Sequence, residues 1–354
     1  MSEFKYFKNK KVLITGHTGF KGSWLTMCLN FFESNILGLS KDFPTSPSHY
    51  KICKELKNIA HKRANICKKN VLLKTINSFK PNFIFHLAAQ PLVSESFINP
   101  LKTWNSNTIG TIQLLEALKR YEKKVIVVII TSDKVYFNYE KKSAYKETDR
   151  LGGKDPYSAS KASAEIAIKS YFETYLKFKK NIRIGIARAG NVIGGGDWSG
   201  KRLIPDCVKA WSKNKYVSIR NLQSTRPWQH VLEVINGYMM LAIKLNKNKN
   251  LNGQAFNFGP NYNFRVIDCL NEFKRHWSGV RWRQKKRVIL KEASLLRLNS
   301  KKAFKILGWN TVLNFEETIK LTAEWYKNFY GLKSKVITLE QIKNYFAKIK
   351  KKKK

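Results

Sequence analysis

A short apolar run that ends in a glycine-rich loop is the feature that most constrains the fold of this chain. The run Lys11–Thr15 predicts a buried parallel strand, and it leads into Gly16-His17-Thr18-Gly19-Phe20-Lys21-Gly22 and then into an apolar, helix-compatible stretch at residues 23–32. Early glycines let the backbone turn tightly and approach a diphosphate, and the last glycine lets helix and strand pack closely. The loop therefore predicts a dinucleotide site, with a ligand-free glycine-rich turn as the alternative.

Strands and helices alternate over about the first 190 residues. Apolar runs predict further strands at residues 35–39, 82–87, 125–131 and 182–187, and helical patterns lie at residues 112–118 and 158–176. This order predicts an α/β fold with a doubly wound parallel (Rossmann) sheet and a smaller, mixed α/β substrate-binding lobe. We assign residues 1–190 to the dinucleotide-binding domain, with residues 228–258 returning to it. Residues 191–227 and 259–332 form the predicted substrate-binding lobe, and residues 333–354 form a Lys-rich C-terminal tail.

An acidic residue near the end of the second predicted strand bears on the choice of dinucleotide. Asp42 can accept hydrogen bonds from ribose hydroxyls, and its carboxylate would repel a 2′-phosphate. This favours NAD over NADP. Ser40 and Lys41 beside it could instead accommodate that phosphate, and Asp42 could be an ordinary loop residue.

Two polar groups of residues follow the fourth predicted strand. Tyr157 and Lys161 are four residues apart and so share one helix face, where the ammonium group favours the phenolate form of a tyrosine base. Thr131-Ser132-Asp133-Lys134 ends the strand itself, at the edge of the sheet where open α/β folds bind ligands. Asp133 and Lys134 could divide proton delivery and removal between them. A surface helix pair and a polar strand-end turn are the alternatives.

Together these segments resemble an extended short-chain dehydrogenase/reductase, and the closer similarity is to the CDP-glucose 4,6-dehydratases. The resemblance covers about residues 10–326 and is carried by residues 15–22, 88–93, 131–134, 155–158, 189–198 and 226–231. Asp133-Lys134 after Thr131-Ser132 is the discriminating feature, because dTDP-glucose dehydratases carry Asp-Glu there. The chain departs from the family pattern at Asn65, at Ser94-Glu95 and at residues 298–300.

The resemblance implies a redox-neutral loss of water from CDP-glucose, with NAD as a cofactor that stays bound. The alternative is a 4,6-dehydratase or an epimerase for a dTDP-, UDP- or GDP-linked sugar, although Asp133-Lys134 argues against simple epimerisation. Tyr157, assisted by Thr131 and Lys161, would deprotonate the hydroxyl on sugar carbon 4 during hydride transfer. Lys134 would remove the carbon-5 proton or stabilise the enolate, and Asp133 would protonate the hydroxyl that leaves carbon 6. The implied cofactor-binding residues are Gly16, Gly19, Phe20, Gly22, Asp42, Asn65, Ile66, Leu87, Ala88, Gln90, Tyr157 and Lys161. The implied substrate-binding residues are Asn191, Lys201, Arg202, Arg220, Arg226 and His230.

The net charge of +43, from 67 Lys and Arg against 24 Asp and Glu, raises a different interpretation. A basic surface binds nucleic acid by releasing counterions, so a non-catalytic, nucleic-acid-associated protein on a dinucleotide-binding fold is the rival hypothesis. The lysines are spread along the chain, which favours a general compositional bias and no nucleic-acid partner. We expect residues 348–354, nearly all lysine, to be disordered, and residues 339–349 to form a solvated terminal helix or a basic amphipathic helix on an anionic surface.

The remaining composition excludes several classes of protein. The five cysteines, Cys28, Cys53, Cys67, Cys207 and Cys269, are scattered and never spaced as CxxC, which argues against a disulfide framework or a metal site. No apolar run reaches eighteen residues, so we expect no membrane insertion. These features predict a cytoplasmic protein, and the family resemblance implies a homodimer or a higher homo-oligomer.

Overall fold

A parallel sheet of seven strands forms the centre of the protein. The computed structural model describes residues 3–141, 143–285, 296–331 and 334–352. In chain order the strands are β1 (Lys11–Thr15), β2 (Asn35–Ser40), β3 (Ala60–Arg63), β4 (Phe83–His86), β5 (Val125–Ile130), β6 (Ile182–Ala189), β7 (Val192–Ile193), β8 (Val217–Ile219), β9 (Thr225–Arg226), β10 (Gln229–His230), β11 (Ala255–Phe258), β12 (Phe264–Arg265) and β13 (Trp282–Gln284). The large sheet has the order β11-β6-β5-β4-β1-β2-β3, with every neighbouring pair parallel.

Helices cover both faces of this sheet, which confirms the predicted doubly wound architecture. They are α1 (Phe20–Phe31), α2 (His49–Ile52), α3 (Val71–Phe79), α4 (Val93–Ile98), α5 (Pro100–Trp104), α6 (Gly110–Lys119), α7 (Pro156–Thr174), α8 (Leu203–Trp211), α9 (Val231–Lys247), α10 (Val266–His276), α11 (Phe315–Tyr330) and α12 (Thr338–Lys352). Apolar residues of α1, α9 and α12 share one core cluster. Those of α3, α6 and α7 share a second cluster on the other face.

The strand order reverses between β1 and β4. From β1 the chain moves outward to β2 and β3, and from β4 it moves outward in the other direction to β5, β6 and β11. At such a switch point the connections that follow the two strands diverge, and a crevice opens at the carboxyl ends of the strands. The residues that follow β1, β4 and β5 therefore face a common space.

After β6 the chain leaves the large sheet and forms short strand pairs. β7 pairs with β10, β9 with β12, and β8 with β13. After α9 the chain returns to the large sheet, where β11 pairs with β6. The division of the chain into a dinucleotide-binding domain, a substrate-binding lobe and a tail stays a prediction.

The end of the chain differs from expectation. The predicted disorder of residues 348–352 and the predicted solvated or surface-bound helix are wrong, because α12 extends to Lys352 and buries Ile342, Phe346 and Ile349 in the core. The ring of Phe346 packs 5.1 Å from that of Phe4 and 4.9 Å from that of Phe32. Apolar contacts thus order a lysine-rich segment that composition alone predicts to be disordered. Residues 353 and 354 lie outside the described residues.

Among the described ranges, the helices include none with the length and apolar character needed to cross a membrane.

Candidate active site

The glycine-rich loop leaves no room for side chains at two positions. Gly16 has φ +76°, and a Cβ added there would lie 2.6 Å from the amide nitrogen of Ala88. A Cβ added at Gly22 would lie 2.1 Å from the carbonyl oxygen of Gly16. Gly19 caps the N-terminus of α1. The loop therefore brings bare backbone and the start of a helix to the crevice, which suits a diphosphate.

The other predicted cofactor residues surround this loop. Asp42 is exposed just beyond β2, where its carbonyl oxygen accepts a hydrogen bond from Thr18 at 2.6 Å. Asn65 is half-buried and its Oδ1 accepts from the Cys67 amide at 3.0 Å, while Ile66 is buried. Partly buried Phe20 lies at the start of α1, and Leu87 and Ala88 follow β4, held to Thr15 by their amides. These positions suit a dinucleotide that runs along the edge of the sheet.

Gln90 is different, because its side chain is used within the protein. Its Nε2 donates to the Leu92 carbonyl at 3.0 Å and to the Thr103 hydroxyl at 2.8 Å, and its Oε1 accepts from the Leu92 amide at 2.6 Å. The side chain thus holds the turn that precedes α4, and the contact of Gln90 with the cofactor stays a prediction.

Tyr157 and Lys161 lie at the N-terminal end of α7, both buried. The helix begins there because Asp155 caps it, accepting a hydrogen bond from the Ser158 amide at 2.9 Å, and because Pro156 occupies its first position. Burial raises the pKa of Tyr157 to about 12, although a hydrogen bond with Ser132 acts in the opposite direction. Burial and the nearby Lys21 lower the pKa of Lys161 to about 7, opposed by Glu165. The pair needs further positive charge before Tyr157 can act as a base near neutral pH.

Thr131 does not assist Tyr157, and this prediction is wrong. Its hydroxyl donates to Glu165 Oε1 at 2.6 Å, behind α7. The next residue, Ser132, points the other way and forms the hydrogen bond with Tyr157. Side chains alternate between the two sides of an extended chain, so a shift of one residue exchanges the two roles. Sequence reasoning missed Ser132 because both residues carry a hydroxyl.

Asp133 and Lys134 form a short turn directly after β5. The buried carboxylate of Asp133 accepts from Ser132 Oγ at 2.9 Å and from Asn191 Nδ2 at 3.4 Å. Gly190 packs against it, since a Cβ there would lie 2.0 Å from Oδ2. Lys134 is partly buried and its amide donates to Ser132 Oγ at 3.2 Å. The structure thus places the Asp133 carboxylate near Tyr157, with Lys134 as the next residue in the same turn.

Of the predicted substrate residues, Asn191 and Arg202 face this centre. Arg202 forms an ion pair with Asp197, with 2.5 Å between Nη1 and Oδ2, and also donates to the Val192 carbonyl at 3.2 Å. Its positive charge acts on both Tyr157 and Lys21. Lys201 and Arg220 are exposed, and half-buried Arg226 donates to the Thr225 carbonyl at 2.8 Å.

His230 does not face the crevice, and its predicted contact with substrate is wrong. The side chain is fully buried and caps α9, its Nδ1 accepting from the Leu232 amide at 3.3 Å. The ring packs edge-on against Trp24, 5.8 Å between centroids. When a sequence motif overlaps the start of a helix, one of its residues can be the helix cap. Sequence alone does not distinguish such a residue from one that binds a ligand.

Lys21 is a charged residue of the site that the sequence reasoning did not single out. It lies in the first turn of α1 and is partly buried. Burial and Arg202 lower its pKa to about 8, while Asp133 and Asp197 act in the opposite direction. The sequence did offer an indication of its role, because Lys21 lies within the glycine-rich loop. A lysine there stands at the start of a helix, where the helix dipole disfavours a cation.

Comparisons with known proteins identify the family of this chain. A sequence model of the family described as GDP-mannose 4,6 dehydratase matches residues 13–322. The chain is 36% identical to CDP-glucose 4,6-dehydratase of Salmonella typhimurium, over 92% of this chain and 93% of the relative. It is 28% identical to human dTDP-D-glucose 4,6-dehydratase, over 94% of each chain.

Solved structures show the same fold. The epimerase Mth375 of Methanothermobacter thermautotrophicus superposes with a TM-score of 0.82 over 97% of both chains, at 23% identity. The dTDP-glucose 4,6-dehydratase of Bacillus anthracis, solved in complex with NAD, gives a TM-score of 0.74 at 22% identity, over 90% of this chain and 97% of that one. The chain therefore belongs to the GDP-mannose 4,6 dehydratase family, within the extended short-chain dehydrogenases/reductases.

Proposed function

We propose that this protein is an NAD-dependent nucleotide-sugar 4,6-dehydratase that converts CDP-glucose to CDP-4-keto-6-deoxyglucose. The observation that carries the proposal is the cluster of Tyr157, Lys161, Ser132, Asp133 and Lys134 at the carboxyl ends of the strands. Loss of water across carbons 5 and 6 needs a base for a hydroxyl, a base for a carbon acid and an acid for the leaving group. The 36% identity to a CDP-glucose 4,6-dehydratase supports the choice of nucleotide.

The glycine-rich loop fits NAD. Side chains at Gly16 and Gly22 would collide with the backbone of Ala88 and of Gly16, so these glycines permit the tight loop whose backbone can approach a diphosphate. The exposed carboxylate of Asp42 would repel the 2′-phosphate of NADP. Bound there, NAD would take a hydride from sugar carbon 4 and return it to carbon 6, so that no net oxidation occurs.

Tyr157 removes the proton from the hydroxyl on carbon 4. Its pKa of about 12 in the unliganded site means that the phenolate needs help. The Lys161 ammonium, one helical turn further along α7, would supply positive charge. Ser132 forms a hydrogen bond with the Tyr157 oxygen, and the charge of Arg202 also favours the phenolate. These groups make Tyr157 a base only while Lys161 is charged.

Asp133 and Lys134 carry out the elimination. The new ketone at carbon 4 acidifies the proton on carbon 5, which passes to Lys134, and Asp133 protonates the hydroxyl that leaves carbon 6. The hydrogen bonds of Asp133 to Ser132 and Asn191 fix the direction of its carboxyl group. Lys134 would have to act in its neutral amine form to accept this proton.

Asn191, Lys201, Arg202, Arg220 and Arg226 are the proposed contacts to the nucleotide sugar. Arginine suits its diphosphate because the planar guanidinium donates two parallel hydrogen bonds. We assign the residues before 191, with 228–258, to cofactor binding and the segments 191–227 and 259–332 to substrate binding. The strand pairs β8–β13 and β9–β12, which form within the two substrate segments, support that division.

The proposal extends to assembly and location. Leu101, Trp104 and Ile109 are exposed on the continuous helical segment from α5 to α6, and Ile166 is exposed on α7, which packs beside it. Apolar side chains on neighbouring helices support a homodimer formed through these helices. Five cysteines, all free among the described residues, support a reducing, cytoplasmic location.

The test is incubation of the purified protein with NAD and, separately, CDP-glucose, dTDP-glucose, UDP-glucose and GDP-mannose. The alkali-induced absorbance of a 4-keto-6-deoxy sugar reports the product, and the variants Y157F and K134A serve as controls. Product from CDP-glucose alone, lost in both variants, supports the proposal in full. Product from another donor keeps the reaction and corrects the substrate. A folded protein that binds NAD but forms no product from any donor contradicts the proposal and favours the non-catalytic, nucleic-acid-associated alternative.

A further inference from the structure

The turn that follows β5 carries Ser132, Asp133 and Lys134, which all act in the proposed reaction. Its internal hydrogen bonds are long, because the amides of Lys134 and Val135 donate to Oγ and to the carbonyl oxygen of Ser132 at 3.2 and 3.4 Å. The amide of Gly152 donates to the Val135 carbonyl at 2.9 Å and joins the turn to the loop that precedes α7. The position of the turn relative to the helix itself therefore depends on other contacts.

A buried ion pair connects α7 to the large sheet behind this turn. Glu165 of α7 and Arg188 of β6 are only 2% and 4% exposed. Nε of Arg188 donates to both carboxylate oxygens of Glu165 at 2.9 Å, and Nη2 donates to Oε2. Glu165 lies about two helical turns after Tyr157 on the same helix. The ion pair thus fixes the helix that carries Tyr157 to the central strands.

The chain is tied to this ion pair on both sides of the turn. Thr131, directly before the turn, donates from Oγ1 to Glu165 Oε1 at 2.6 Å. Tyr136, directly after it, accepts a hydrogen bond from Arg188 Nη1 at 2.7 Å, and its ring centroid lies 4.9 Å from the guanidinium carbon. The Tyr136 hydroxyl donates in turn to Asn257 of β11 at 2.7 Å. Both ends of the turn are therefore bonded to the same pair of charges.

Stability alone gives little reason for this ion pair. Removing two charges from water has a cost that their attraction often does no more than offset, and apolar side chains of similar volume can replace such a pair without loss of stability. A planar guanidinium does offer several donors in fixed directions. Arg188 uses them to bond Glu165, Tyr136 and the carbonyl oxygen of Glu147 together, the last at 3.1 Å. This arrangement points to a geometric role.

We propose that Glu165 and Arg188 are positioning residues that fix the turn after β5 against α7. The proposal rests on the proposed function, in which Tyr157 acts from α7 while Ser132 and Asp133 act from the turn. Proton transfer at neighbouring sugar carbons requires these groups at a constant separation, and a displacement of about 1 Å can lower a rate about a hundredfold. The ion pair maintains that separation from within the core.

The experiment removes the two ties and leaves the ion pair intact, because an unpaired buried charge would endanger the fold. The variants of the full-length protein are T131V, Y136F and T131V/Y136F. The matched control is T75V/Y345F, which makes the same atomic changes at buried, hydrogen-bonded positions on α3 and α12. Hydrogen–deuterium exchange with mass spectrometry measures the protection of the turn without cofactor or substrate. Initial rates with NAD and CDP-glucose give kcat and KM.

In T131V/Y136F we expect the amides of the turn to exchange on the order of tenfold faster than in the wild type, because both ties are lost. The amides of β1 and β4 should keep their protection. Each single variant should lower kcat less than tenfold, because the other tie remains. The double variant should lower kcat about a hundredfold with KM unchanged, more than the two single effects combined. The control should match the wild type at the turn and in kcat.

Unchanged exchange at the turn in T131V/Y136F overturns the proposal. A loss of protection spread evenly over the chain also overturns it, because the two ties would then serve stability alone. So does an active enzyme whose turn exchanges faster while kcat stays equal to that of the control. If the protein dehydrates no nucleotide sugar, the exchange measurement still shows whether the ion pair fixes the turn, so the two proposals fail separately.

Discussion

At the scale of single residues, Thr131 and Ser132 are adjacent hydroxyl residues with different surroundings. Ser132 forms a hydrogen bond with Tyr157, and Thr131 donates to buried Glu165 at 2.6 Å. We expect S132A to lower kcat by about a hundredfold, because a hydrogen bond to the developing charge is lost. T131V should lower kcat less than tenfold but cost about 1–3 kcal/mol of unfolding free energy, because a buried carboxylate loses a donor. Initial rates and urea unfolding of both variants measure this, and equal losses of kcat would contradict it.

Buried Glu233 gives a second prediction at this scale. Its Oε1 accepts from the amides of Val312 and Leu313 at 2.9 and 2.8 Å, and Oε2 accepts from Tyr345 at 2.9 Å. Burial nevertheless raises its pKa from 4.5 to about 7. The folded chain therefore binds more protons than the unfolded chain between these values, and Glu233 loses about 3 kcal/mol of stabilisation as pH rises through that window.

The variant E233Q isolates this contribution. Glutamine keeps the shape and the accepting oxygen and cannot ionise, so the unfolding free energy of E233Q minus that of the wild type should increase from pH 5 to pH 8. The buried histidines, whose folded pKa values are lowered, act equally on both proteins and cancel in the difference. Urea unfolding at four pH values gives the curve. A difference that does not change with pH would mean that Glu233 is ionised throughout.

The residue scale also shows what sequence reasoning can and cannot reach. The placement of Tyr157 and Lys161 on one helix and of Asp133 and Lys134 after a strand was predictable, because helical spacing and a strand end can be read from sequence. Their catalytic roles stay predictions. The side that Ser132 faces was not, because it depends on where β5 stops. His230 was predicted as a ligand residue because it lies in a ligand-like motif, and its capping of α9 is visible only in three dimensions.

At the scale of elements, the degree of burial decides which strands and helices can be predicted from the sequence. β1, β2, β4, β5 and β6 are covered on both faces, so they read as apolar runs and were predicted within two residues at each end. The edge strand β3, Ala60–Arg63, has no buried residue and gave no signal. α12 shows the reverse case, because its charge suggested disorder while its four buried apolar or aromatic residues pack it against α1. Tyr345 of α12 also donates a hydrogen bond to Glu233 of α9.

The packing of α12 leads to a prediction about this element. Phe346 is fully buried between Phe4 and Phe32, so F346A should cost about 3–5 kcal/mol of unfolding free energy. The exposed Lys351 on the same helix is the matched control, and K351A should change stability by less than about 0.5 kcal/mol. Urea unfolding compares the two. Similar, small effects of both substitutions would show that α12 is not part of the core in solution.

At the scale of the whole molecule, a net charge of +43 acts on every association of this protein. Two copies repel each other, and raising the salt concentration screens this repulsion. Binding to nucleic acid has the opposite dependence, because salt reverses the release of counterions. The basic surface has two interpretations, a compositional bias in a homodimeric enzyme or a site for nucleic acid. They predict opposite responses to salt, because salt strengthens association between two copies and weakens binding to nucleic acid.

The proposed dimer face makes this difference measurable. Leu101 and Ile166 are 64% and 57% exposed, and their burial between two copies would offset the repulsion. We expect light scattering coupled to gel filtration to show a dimer fraction that increases between 50 and 500 mM NaCl, and we expect the L101D/I166D double variant to remain monomeric at both. K10Q/K62Q is the control for altered charge away from these helices and should dimerise like the wild type. A wild-type protein that is monomeric at every salt concentration would refute the interface.

Duplex DNA that stays bound above 200 mM NaCl would instead favour the nucleic-acid interpretation, because a surface of dispersed lysines loses most of its affinity for phosphates at that ionic strength.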